Sequence, residues 1–163
     1  MKRTVLLLPD HNPVAATNQI MTYIPERFRQ DVRKMANRRC EYCLIDERVS
    51  ENPHEIDHIV AEQHGGETIP ANLCLACFEC NRQKGPNLCS RDTSTSEIVS
   101  LFDPRHQQWP DHFQLSGAVI VPLTAIGRVT VRVLDMNRED RVADRARLMR
   151  VGRYPDFSTG QAF

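Results

Sequence analysis

Two Cys-x-x-Cys pairs, Cys40/Cys43 and Cys77/Cys80, stand a few dozen residues apart and constrain this chain more than any other feature. Each pair makes a knuckle whose two sulfurs reach one ion, and two knuckles together complete a tetrahedral thiolate site. Four thiolates leave no position for water, so the metal expected here is a structural zinc. Cys74 lies three residues before Cys77 and creates an overlapping pair, but its setting between Leu73 and Leu75 suits packing better than ligation. Cys89 is read as a bystander.

The chain has 163 residues, enough for one compact domain with a real core. Its 21 basic and 21 acidic side chains cancel, so net charge does not point to nucleic acid. Charge is nevertheless unevenly spread. Arg27, Arg29, Arg33, Lys34, Arg38 and Arg39 crowd one segment, which fits either a solvated helix face or a surface that meets phosphates. The apolar run Val5 to Leu8 ends at Pro9-Asp10, too short for a membrane span, and the expected location is cytoplasmic. A reducing compartment again favours metal over disulfides.

Residues 1–22 lack periodicity and read as a flexible leader, residues 23–154 as the domain and 155–163 as a tail. Pro25 opens a predicted amphipathic helix that ends near Arg39, with Phe28, Val32 and Met35 on one face. Short β-like stretches follow at 54–60 and 72–75, separated by a Gly65-Gly66 loop. A helix through Asn81 and Lys84 should stop at Gly85-Pro86. Farther on, a hairpin is expected around Ser116-Gly117, then a helix capped by Thr124 and running to about Met136, where the alternation over Val129–Val133 suits a strand equally, and a second helix capped by Asn137. The overall fold class is therefore α+β.

Between the knuckles lie residues suited to phosphodiester hydrolysis. His58 can take a proton near neutral pH, while Asp57 and Asn81 offer hard oxygens for magnesium or manganese. Asp57 and His58 would face opposite sides of a flat strand, so one site can use both only where the strand ends. Lys84, one helical turn beyond Asn81, could reach a phosphate. His54 offers an alternative metal pair with His58, whereas Trp109 and Phe113 read as core anchors.

The text Arg39-Cys40-Glu41-Tyr42-Cys43, Ile56-Asp57-His58-Ile59, Gly65-Gly66, Asn72-Leu73 and Cys77-x-x-Cys80-Asn81-x-x-Lys84-Gly85 resembles the HNH, or ββα-metal, endonucleases braced by a four-cysteine zinc. The resemblance runs over about residues 23 to 154. It implies a ββα core with two zinc knuckles, an N-terminal helix and a C-terminal hairpin with helices. It also implies that His58 activates water, that Asp57 and Asn81 bind the catalytic ion, and that Asn72 fixes the loop that aims His58. DNA is the implied substrate, with a 5′-phosphate and a 3′-hydroxyl as products and no organic cofactor. Many relatives carry His where this chain has Asn81. The competing reading is a zinc-stabilised nucleic-acid-binding module without catalysis, for which a base beside metal ligands has no use.

Overall fold

The computed structural model describes residues 23–155. The expected leader, 1–22, and all of the expected tail except Pro155 lie outside the described residues. Helix α1 (Glu26–Met35) starts behind Pro25 and buries Val32 completely. It is shorter than the sequence predicts. Asn37 and Arg38 both take left-handed backbone angles and turn the chain out before Arg39, which leaves Met35 half exposed.

Strands β1 (Glu55–His58) and β2 (Leu73–Ala76) pair antiparallel, with Asp57 opposite Cys74 and His58 opposite Leu73. Residues directly opposite share a face, and faces alternate along a strand. Ile56, Leu73 and Leu75 therefore turn one way and pack with Val32 of α1 and Ala36 just past its end. Glu55, Asp57, Cys74 and Ala76 turn the other way, toward the knuckles and helix α2 (Phe78–Lys84). The Cys77 sulfur accepts from the Cys80 amide at the start of α2, and Gly85, with φ of +47°, stops it.

Beyond α2 the chain makes a β3 (Cys89–Arg91) and β4 (Ile98–Ser100) ribbon that the sequence did not announce. Helix α3 (Trp109–His112) leads into the predicted hairpin, β5 (Phe113–Ser116) with β6 (Val119–Pro122). Thr124 caps α4 (Ala125–Val133) through the Gly127 amide at 3.1 Å, as expected. Trp109 and Phe113 are buried in the larger core together with Tyr42, Phe102 and the knuckle cysteines.

Asn137 does not cap α5 (Glu139–Arg150). Arg138 holds that position, without a side-chain cap. The Asn137 amide instead clamps the main chain of Ile120, accepting from its N–H at 3.0 Å and donating to its carbonyl at 2.8 Å. Satisfying two buried backbone groups of a strand outweighs satisfying one at a helix end.

Among the described residues no helix is long and apolar enough to cross a membrane.

Candidate metal centre and active site

The four paired cysteines come together. All four sulfurs lie within 4.8 Å of one another and every one is buried. Cys43 and Cys77 Sγ are 3.6 Å apart. A tetrahedron with zinc–sulfur bonds of about 2.3 Å has edges of about 3.8 Å, so the cluster has the dimensions of a zinc site. Within each knuckle the second amide points at the first sulfur: Cys43 N–H to Cys40 Sγ and Cys80 N–H to Cys77 Sγ, both at 3.4 Å. Cys74 stays out of the cluster. Its sulfur lies 3.5 Å from the Tyr42 hydroxyl, and burial pushes its thiol up to about 12, so it remains a neutral packing group.

Both expected ligands of a catalytic ion fall on the seam between β1 and α2. Asn81 donates its amide hydrogen to Glu55, and Lys84, one turn later, donates to Asp57 Oδ2 at 3.0 Å. Two residues along a strand thus match one turn along the facing helix. Asn81 has its nitrogen engaged, which leaves the amide oxygen as its free donor atom. The Asp57 carboxyl is held above its ordinary range because burial outweighs the ammonium beside it.

Lys84 departs from the phosphate-reaching group that the sequence suggested. It is 2 % exposed, and its ammonium is shared among Asp57, the His58 carbonyl at 2.7 Å and the Gly85 carbonyl at 3.2 Å. Three acceptors take its three donors, so it faces inward as a brace.

His58 closes β1, and its ring turns to the connecting loop. Nε2 lies 2.9 Å from Thr68 Oγ1, and that hydroxyl donates on to Glu62 Oε1 at 3.4 Å. A hydroxyl that donates to a carboxylate is placed to accept from the imidazole, an arrangement that suits hydrogen on Nε2 and leaves Nδ1 to accept.

Asn72 ties this loop shut. Its oxygen accepts from the Val60 amide at 2.9 Å, and its nitrogen donates to the carbonyls of Val60 and Glu67 at 3.0 and 2.9 Å. A Cβ on Gly66 would stand 1.7 Å from the Val60 carbonyl oxygen, so only glycine permits this closure. His54 does not join a metal site. It is buried, with Nε2 on the Ile45 carbonyl at 2.9 Å.

Residues 40–87 match the family model described as HNH endonuclease. The chain carries an HNH domain. The family is one of nucleases, and nucleic acid is the substrate that the domain implies. Comparison with curated proteins and with solved structures gave no match.

Three partners of the site residues are not predicted from the sequence: Glu55 of Asn81, Thr68 of His58, and Arg141, beyond the matched segment, whose guanidinium meets Cys80 Sγ at 2.9 Å. Glu55 had a signal, standing two positions before Asp57 and hence on the same strand face. Thr68 and Arg141 had none, because their contacts depend on loop closure and on chain returning from far away.

Proposed function

We propose that this HNH domain is a metal-dependent DNA endonuclease in which His58 is the general base and Asp57 and Asn81 hold a catalytic magnesium or manganese ion. The observation that carries this reading is the seam between β1 and α2, where a carboxylate and an amide oxygen stand beside a strand that ends in an imidazole. Hard oxygen donors of this kind fit a hard divalent cation. Bound there, the ion supplies positive charge to the phosphate and to the departing oxygen.

His58 takes the proton of a water molecule at Nδ1, while Thr68 fixes the ring through Nε2. The water oxygen forms a bond to phosphorus as the bond from phosphorus to the 3′-oxygen breaks. That oxygen takes a proton from solvent, leaving a 5′-phosphate and a 3′-hydroxyl. Asn72 and Gly66 hold the loop that aims His58. Lys84 acts on Asp57 as a positioning residue and does not touch the phosphate.

The decisive experiment is plasmid nicking with and without magnesium or manganese, comparing the parent with His58→Ala. The variant should keep its zinc and its circular dichroism spectrum and lose nicking by about a hundredfold or more. Equal cutting by a folded, zinc-loaded variant would remove His58 from the reaction.

A further inference from the structure

We propose that Arg141 completes the metal centre: its guanidinium donates a hydrogen bond to Cys80 as a thiolate, so helix α5, outside the segment that matches the HNH family model, retains the ion. This inference rests on the cysteine cluster and is independent of the nuclease reading. Nη2 of Arg141 lies 2.9 Å from Cys80 Sγ, across 61 positions of sequence. The residue is 3 % exposed, and its other side-chain contacts are the carbonyls of Leu134 at 2.6 Å and Asp135 at 3.1 Å.

A buried guanidinium cannot shed its proton and needs an anion nearby. Among the described residues no carboxylate accepts from the Arg141 side chain, and the one atom it meets that can carry a full negative charge is the Cys80 sulfur. A neutral thiol would leave the cation uncompensated. A thiolate on a metal compensates it, and four thiolates around a divalent cation carry excess negative charge of their own. Cation and cluster therefore neutralise each other in a site closed to water. The Leu134 and Asp135 carbonyls, just past the end of α4, both accept from Nη1 and so turn Nη2 toward sulfur.

Two measurements on the full-length, metal-loaded chain test this. In the parent loaded with cadmium-113, the ion should show scalar correlations to a guanidinium proton of Arg141. It should also show them to the amide protons of Cys43 and Cys80, which point at sulfur already. Amide correlations without the guanidinium one would overturn the proposal. Arg141→Met should release zinc to a chromogenic chelator about tenfold faster than the parent. It should also shift the sulfur-to-cobalt charge-transfer band of the cobalt-loaded protein. Arg145→Met is the control. Arg145 is equally buried, but it donates to the Ala118 and Met136 carbonyls and to Asn137, not to sulfur. That variant should lose stability and leave the band in place. A band unmoved in Arg141→Met, or moved as far in Arg145→Met, would sink the idea. Should Arg141→Met fail to fold, the cadmium correlations decide alone.

Discussion

Lys84 Nζ stands 3.0 Å from Asp57 Oδ2 and 2.7 Å from the His58 carbonyl, with the lysine almost wholly out of water. One cation thus ties the last two residues of β1 to the last residue of α2. Removing one member of a buried pair strands the other, at a cost of about 3 kcal/mol. Lys84→Met should lose about that much in denaturant unfolding of the zinc-loaded protein, whereas Asp57→Asn, which puts a neutral group where the fold favours one, should lose less. The double variant should lose less than the sum of the two. Strict additivity would show that the pair is not coupled.

The same pair sets a pH dependence. Burial keeps the folded Asp57 carboxyl above its ordinary 3.8, with Lys84 pulling part of the way back. The raised value means that the fold favours the neutral acid. Its contribution to stability is full below 3.8 and is lost as pH climbs through the raised value. Under the proposed function the carboxylate would hold the ion only above that point, so manganese affinity should fall as pH drops toward it. Lys84→Met removes the lowering influence and should move this acid limb to higher pH. Manganese titrations across pH, with zinc content checked at each step, would refute the assignment if the limb stayed or moved down.

Gly66→Ala should break the loop behind His58. The added carbon would stand 1.7 Å from the Val60 carbonyl oxygen and 2.8 Å from Asn72 Nδ2, so backbone must give way. A loss of roughly 3 kcal/mol is expected, together with loss of nicking. Asn72→Asp is a subtler form of the same test. It keeps an acceptor for the Val60 amide but turns an oxygen on two carbonyls, and it should be less stable than the parent. Thermal unfolding checks both, and a parent-like Gly66→Ala would mean the loop closes differently.

Metal stoichiometry separates the overlapping cysteine pairs. Cys74→Ser should retain one zinc per chain, whereas Cys77→Ser should lose it, because only Cys77 belongs to the cluster. Zinc withdrawal from the parent should cost on the order of 10 kcal/mol of apparent stability and unfold the domain. Zinc analysis of the two serine variants settles the ligand set, and the reverse pattern would exchange the roles of the two cysteines.

The zinc ligands and the strand, strand, helix order were readable from sequence because that chemistry is written in short spacings. Cys40, Cys43, Cys77 and Cys80 meet as their pairing requires, and Gly85 ends α2 where a stop was expected. What could not be read was direction. Lys84 is as plausible outward as inward until Asp57 and the His58 carbonyl are known to lie beneath it. Asn137 looked like a cap because capping is a local rule, but an unpaired strand backbone at Ile120 competed for it. The β3–β4 ribbon hid because its turn is built by one residue. Asp92 accepts from the Ser94 and Ser96 amides, and Arg128 of α4 pairs with its carboxylate, holding that group down at about 2.

Every sheet among the described residues has only two strands. A lone two-stranded ribbon is marginal in water, so none of the three can act as a scaffold for the others. Long-range bonds tie the segments between them together instead: the Trp109 indole to the Tyr42 carbonyl at 2.9 Å, the Tyr154 hydroxyl to the Cys43 carbonyl at 3.0 Å and the Phe102 amide to Thr130 Oγ1 at 2.8 Å. Two of those three grip the first knuckle, so its sulfurs and the distant half of the chain become ordered together. Assembly of such a molecule resembles tightening a drawstring: until the ion gathers the knuckles, the ribbons have little to lean on.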